Sequence, residues 1–129
     1  MRRILSLALA VGALVVASLG DASAVERRCG WYANPTPGNL WLIDKDASWT
    51  ITSQGEADGP DAAGADKAPD FNPRQFVETN VPGSGYGYGC ACMTVETDAG
   101  NQRIRKVFAG DILPLARCRA DKSLPPPPD

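Results

Sequence analysis

The eight residues 86–93, YGYGCACM, constrain the fold more than any other part of the chain. They hold two of the three tyrosines and two of the four cysteines. In a strand, successive side chains alternate between the two faces. Both tyrosines, Cys90 and Cys92 would then share one face, and the glycines, Ala91 and Met93 would share the other. The stretch predicts a strand with one aromatic, sulfur-rich face and one nearly bare face.

Residues 1–24 have the features of a secretory signal peptide. Arg2 and Arg3 precede an uncharged apolar run over residues 4–19, and the small residues at 22–24 suit signal peptidase. A membrane span needs about 20 apolar residues, and this run is shorter. We therefore expect cleavage before Val25 and export to the periplasm or the medium, with no membrane span in the mature chain.

The cysteines all lie in the exported part, where small domains use disulfides as staples. Cys90 and Cys92 would leave one strand face about 6.5–7 Å apart, at or beyond the usual disulfide span, so a bond between them is disfavoured. Each should pair with Cys29 or Cys118, as Cys29–Cys90 with Cys92–Cys118 or as Cys29–Cys92 with Cys90–Cys118. Each bridge would contribute about 3.5–4 kcal/mol in the chain-entropy model.

Short apolar segments separated by turn signals predict an all-β fold over residues 25–122, either a small antiparallel β-barrel or a sandwich stapled by two disulfides. No helical pattern stands out. A break is expected at residues 110–111, where Gly and Asp interrupt the last arm. The predicted strands are 29–32, 40–43, 49–52, 75–79, 86–97 and 102–109, and the second and third form a hairpin.

Two segments show no periodicity. Residues 54–70 are rich in Ala, Gly and Asp, and predict a long flexible acidic surface loop within the single domain. Their aspartates lack the spacing of a calcium loop. Residues 123–129 include four consecutive prolines and predict a disordered, extended tail.

Five motifs together resemble an uncharacterised family of small exported bacterial proteins, the domain-of-unknown-function family 4087. They lie at residues 29–31, 34–39, 41–44, 49–51 and 86–92. The resemblance covers nearly the whole mature domain and implies export and a shared fold. It implies no activity, because none is established for that family, and no functional residue is carried over.

The chain has no histidine, which removes Ser-His and Cys-His catalysis. The C-x-C spacing favours structural disulfides over a zinc site or a redox-active pair, so we expect no metal and no cofactor. Carboxylate chemistry remains, as in a small hydrolase acting on envelope glycans. Its candidates are Asp44, Asp46, Glu78 and Glu96, although solvated strand ends are the favoured explanation for these acids.

Four arginines near the C-terminus recur with period two and would form a basic stripe on adjacent strands. The whole chain has 13 basic and 15 acidic residues, and the leader takes two arginines and one aspartate, so the mature chain has a net charge near −3. A basic stripe on an acidic domain suits an anionic envelope component or an acidic protein, whereas a pI near 5.1 argues against nucleic acid. The four are Arg103, Arg105, Arg117 and Arg119.

Five aromatic residues could line a carbohydrate-binding surface, but small β domains also use such residues as core, and the core interpretation is favoured. They are Trp31, Trp41, Trp49, Tyr86 and Tyr88. The sequence as a whole predicts an exported, monomeric, disulfide-stabilised binding module, either an inhibitor or an envelope interaction protein. A carboxylate-dependent hydrolase is the alternative.

Overall fold

The computed structural model describes residues 12–13, 24–55 and 59–129. The predicted signal peptide therefore lies almost wholly outside the described residues. Within the described part, no helix is long and apolar enough to cross a membrane. The elements are β1 (Val25–Asn34), β2 (Leu40–Ile43), β3 (Ser48–Thr52), β4 (Val77–Glu78), β5 (Gly87–Asp98), β6 (Arg103–Leu113) and α1 (Leu115–Ala120), with 3-10 turns at Ala65–Lys67 and Pro73–Gln75.

Five strands close into a ring in the order β1, β2, β3, β6, β5, because β5 pairs with β1 as well as with β6. Neighbouring strands are antiparallel except β3 and β6, which meet in parallel at the single pair Thr50–Arg103. The short β4 extends the sheet beside the first residues of β5. The predicted all-β fold with two disulfides is confirmed, and so is the β2–β3 hairpin.

The two faces of β5 carry different cores, as the alternation in residues 86–93 predicts. Ala91 and Met93 belong to an inner core of aliphatic and aromatic residues inside the ring, to which β1, β2, β3 and β6 also contribute. Tyr88 and Cys90 belong to a separate outer cluster. We use the name outer cluster for the buried residues Trp31, Ala33, Tyr88, Cys90, Leu115 and Cys118.

The bare face of β5 admits a neighbouring backbone. A Cβ atom at Gly87 would collide with the carbonyl oxygen of Val77 in β4. Gly87 therefore lets β4 pair with β5 at close range. A strand face without side chains can make room for a neighbouring backbone or for a ligand. At this position it makes room for the backbone of β4.

The disulfides are Cys29–Cys92 and Cys90–Cys118. The β1–β5 register decides the first, because it places Cys29 directly opposite Cys92, with their Cα atoms 4.0 Å apart. Cys90 faces Trp31 in the same ladder, and α1 brings Cys118 to it on the outer face. This is the second of the two pairings that the sequence left open.

The predicted end of the last arm at residues 110–111 is wrong. β6 continues to Leu113, and Gly110 pairs with Met93 of β5. A Cβ atom at Gly110 would lie 2.7 Å from Cδ of Pro69 and 2.9 Å from Cγ of Met93. The glycine therefore permits close packing in the middle of a strand rather than a turn.

The segment 54–70 is docked on the ring over part of its length. Ala62 is buried in the inner core, and its N–H donates to the Ile51 carbonyl at 2.8 Å. Ala63 bridges β6 in parallel, with hydrogen bonds to Arg105 and Val107. Residues 61–64 thus lie in the gap between β3 and β6, which pair with each other at only one residue. The mobility of the segment stays a prediction, and residues 56–58 lie outside the described part.

The first residues of the tail, which is predicted from the sequence to be disordered from residue 123, contact the domain. Leu124 packs against the outer cluster, and the indole Nε1 of Trp31 donates to the carbonyl of Pro125 at 3.0 Å. The sequence predicted no helix, but residues 115–120 form α1. Six residues are too few to show helical periodicity in the sequence.

Candidate functional site

Three of the five aromatic residues predicted for a carbohydrate surface are core residues. Trp31, Trp49 and Tyr88 are only 2%, 3% and 8% exposed, whereas Trp41 and Tyr86 are half-buried. Trp31 and Tyr88 pack edge to face, with ring centroids 5.3 Å apart. In this structure other parts of the chain cover the three buried rings, so the five aromatic residues do not form one exposed binding face.

The four-arginine stripe is divided by the structure. Arg117 and Arg119 lie in α1, where residues two apart point in different directions around the helix. Arg103 and Arg105 lie in β6 and line a common cavity. The prediction of one stripe on adjacent strands is wrong because residues 115–120 are helical, and a pair of arginines remains.

That cavity has a volume of about 610 Å³ and lies at the seam between β3 and β6. We call it the seam cavity. The seam leaves space because β3 and β6 form one residue pair before residues 59–63 pass between them. Ile104, almost fully buried, anchors its floor in the inner core. Its lining residues are Thr50, Gly59, Pro60, Asp61, Asp98, Asn101, Arg103, Ile104 and Arg105.

A β-bulge places Arg105 at this cavity. Lys106 pairs with Glu96, and Ile104 pairs with the next residue of β5, Thr97, so Arg105 is an extra residue in β6. Bulges re-aim side chains and are frequent beside functional sites. The bulge also interrupts the alternation of a regular strand, since Ile104 and Val107, three residues apart, are both buried in the inner core.

The charged side chains that line the seam cavity make hydrogen bonds and an ion pair with neighbouring residues. The Arg103 guanidinium donates to the carbonyl of Pro60, and the Arg105 guanidinium lies 3.7 Å from an Asp98 carboxylate oxygen. Asp98 also accepts from the side chain of Asn101 at 2.8 Å. That hydrogen bond, with the nearby Arg105, lowers the pKa of Asp98, so its carboxylate stays ionised at neutral pH.

The acids considered for catalysis are divided between two regions. Asp44 is 6% exposed, and its Oδ1 accepts from the Trp49 indole at 2.9 Å and from the amides of Asp46 and Ala47 at 2.8 and 3.0 Å. Its Oδ2 accepts from Arg28 at 2.8 Å. Burial raises the pKa of Asp44, but the hydrogen bonds from Arg28 and Trp49 outweigh it and hold the pKa below its usual value.

This network locks the β2–β3 turn to β1. Arg28 also contacts Asp46 at 3.0 Å and Glu26 at 2.7 Å, and its guanidinium lies 4.3 Å from the ring centre of Trp49. Arg28 is not among the residues predicted from the sequence, because the first strand was predicted to begin at Cys29. The signal was present, since Glu26 and Arg28 share one strand face if β1 begins earlier.

Glu78 and Glu96 lie far apart. Glu78 pairs with Gly87 at the beginning of β5, and Glu96 lies nine residues further along the same strand. Nine residues of strand span about 30 Å. A glycosidase pair needs carboxyl groups about 5–9.5 Å apart, so these two glutamates cannot form one. Among the residues that the structure describes, no group of three or more acids and cysteines is arranged to hold a metal.

The comparisons with known proteins agree with the sequence resemblance and add no activity. No curated protein matches the chain. No solved structure matches it either. One family matches residues 23–125, which include the ring, both disulfides and the seam cavity. The chain therefore belongs to the family described as "Protein of unknown function (DUF4087)".

Proposed function

We propose that this domain is an exported binding module that holds a carboxylate-bearing envelope glycan in the seam cavity. The observation that carries the proposal is the pair Arg103 and Arg105 on one wall of a 610 Å³ cavity whose own acids are already engaged by turns. Guanidinium groups bind carboxylates by paired N–H donors, with more geometric specificity than a lysine provides.

The acidic residues of the cavity do not cancel this preference. Asp61 accepts from the amide of Ser53 at 3.3 Å, and Asp98 accepts from Asn101. Asp61 therefore stabilises local backbone, and Asp98 is already an ion-pair partner of Arg105, so a ligand carboxylate would share or replace that 3.7 Å contact on a guanidinium that carries five N–H donors. Thr50 and Asn101 add neutral polar groups suited to sugar hydroxyls.

The surroundings support an envelope ligand. Two disulfides suggest an oxidising compartment, and residues 1–24 have the pattern of a signal peptide. The rival hydrolase has weaker support. Asp44 has its pKa lowered and all its oxygens engaged, whereas a general acid needs a raised pKa.

Calorimetric titration of the oxidised mature protein with soluble peptidoglycan fragments tests the proposal. The same fragments with methyl-esterified carboxyl groups are the ligand control. Arg105→Gln should weaken binding at least tenfold, and Arg119→Gln, which changes an exposed arginine of α1, should leave it unchanged. Binding should also weaken as salt is raised. Equal affinity for esterified and native fragments would contradict the proposal, and release of cleaved glycan would favour the hydrolase.

A further inference from the structure

The outer cluster is covered by the chain's own C-terminal tail. Leu124 packs on the cluster, and the Trp31 indole donates to the carbonyl of the next residue, Pro125. Asp121 begins this contact with a turn, accepting from the amide and hydroxyl of Ser123 at 3.0 and 2.6 Å. An apolar residue followed by prolines thus lies over a tryptophan whose N–H points at a proline carbonyl.

This arrangement has the chemistry of proline-rich peptide recognition. A polyproline segment has no internal hydrogen bonds, so its carbonyls are available to a donor such as an indole N–H. Its stiffness also lowers the entropy lost when it docks in an aromatic groove. We propose that the groove over Trp31 is a binding site for an extended peptide with a leucine before consecutive prolines, and that the tail fills it in cis.

The groove extends beyond the part that the tail fills. Leu124 and Pro125 line a further cavity of about 510 Å³ together with Ile43 and the turn at residues 44–48. The Arg28–Asp44 network holds that turn in place, so one wall is fixed. Leu124 also packs on the outer cluster, whose members Leu115 and Cys118 of α1 are held at β5 by the Cys90–Cys118 bridge. The occupant to which we assign this site is a proline-rich segment of a partner protein.

The tail is a competitor that a partner has to displace. A tethered segment acts at an effective concentration in the millimolar range, so a peptide in trans binds weakly until the tail is released. Leu124→Ser removes the apolar anchor of the tail while the full chain and the Trp31 donor remain. The proposal therefore predicts tighter binding of an added peptide after this substitution.

The test uses the mature oxidised protein and a synthetic peptide with the sequence of residues 123–129, SLPPPPD. The indole N–H resonances of the three tryptophans report the site, with Trp41, which lies in neither the outer cluster nor the lining of the groove, as the internal reference. In Leu124→Ser the peptide should shift the Trp31 resonance saturably and bind at least tenfold more tightly than to the wild type. The peptide SLAAAAD should bind at least tenfold more weakly. Arg105→Gln should have no effect, which separates this site from the seam cavity.

Three results would overturn the inference. They are equal affinity for the proline and alanine peptides, no gain in Leu124→Ser, and a shift at Trp41 without one at Trp31. If Leu124→Ser folds poorly, wild-type protein with a spin-labelled peptide in the millimolar range gives an equivalent readout, because a bound spin label must broaden the Trp31 resonance. Concentration-dependent dimers that the peptide dissociates would assign the groove to the tail of a second copy, which also contradicts a partner protein.

Discussion

The two faces of β5 are buried by different means. The inner face contributes Ala91, Met93 and Val95 to a core supplied by all five strands of the ring. The outer face contributes Tyr88 and Cys90 to a smaller cluster, covered by a six-residue helix and the start of the tail. A helix of that length is marginal by itself. The difference indicates that packing of apolar side chains stabilises the inner face, whereas the outer face depends more on covalent bridges.

Removal of the disulfides should lower the free energy of unfolding more than any of the other changes below. Cys29 and Cys92 are separated by 63 residues, and Cys90 and Cys118 by 28. Replacing the first pair by serine should lower the free energy of unfolding by about 4 kcal/mol, and replacing the second by about 3.5 kcal/mol, because each bridge restricts the unfolded chain. Denaturant titration followed by tryptophan fluorescence measures both values.

The two double variants also serve as controls for each other. Loss of Cys90–Cys118 should release α1 and expose Trp31, with a red-shifted emission, before global unfolding. Loss of Cys29–Cys92 should leave that emission unchanged in the folded protein. A loss below 1 kcal/mol in both variants would show that the outer face does not depend on its bridges.

Truncation of one apolar residue in the inner core and of one beside the outer cluster should destabilise the protein to different extents. Leu42 is 0% exposed in the inner core, and Leu113 is half-buried beside the outer cluster. Leu42→Ala should lower the free energy of unfolding by about 3 kcal/mol, since a buried cavity remains, and Leu113→Ala by about 1 kcal/mol. Thermal and denaturant unfolding give the comparison, and equal losses would contradict the division into two cores.

Features that follow from the alternation of side chains along a strand could be predicted from the sequence. Features that depend on the register between two strands could not. The faces of Ala91 and Cys90 follow from strand geometry alone. The partner of Cys29 does not, because a two-residue shift between β1 and β5 would place Cys90 opposite it instead of Cys92. Gly110 was misinterpreted for a similar reason. Its role is to accommodate Pro69, and that contact arises only when residues 59–70 dock.

The Arg28–Asp44 network should make stability depend on pH on the β2–β3 side of the ring. Because the folded pKa of Asp44 is below its unfolded value of about 3.9, its contribution is complete above that pH and is lost as pH falls through the lower folded value. Asp44→Asn should lower the free energy of unfolding at pH 7 by about 2 kcal/mol. The difference from wild type should shrink toward pH 2 in denaturant titrations.

Asp46→Asn is the matched control for this pH dependence. Asp46 contacts the same Arg28 atom as Asp44 but is exposed at the surface. Exposed ion pairs contribute little, about 0–1 kcal/mol. A larger loss in Asp46→Asn than in Asp44→Asn would place the stabilising contact at the surface and contradict the buried network.

The candidate site was predictable only in part. The sequence identified Arg103 and Arg105, but it joined them to Arg117 and Arg119 because period two was extended into a segment that forms α1. The bulge that aims Arg105 has no sequence signature here, since neither glycine nor proline marks it. The cavity itself depends on residues 59–63 passing along the seam, a tertiary contact that no local pattern encodes.

The smallest predicted effect concerns the boundary between the outer cluster and the tail. Trp31→Phe keeps an aromatic ring against Tyr88 but removes the N–H that Pro125 accepts, so it should lower the free energy of unfolding by about 1 kcal/mol. Leu124→Ser should release the same tail, and therefore the two changes together should lose less than the sum of their separate effects. Strict additivity in a double-mutant cycle would mean that Leu124 and the Trp31 hydrogen bond act independently, which would contradict a tail that docks on the outer face as one unit.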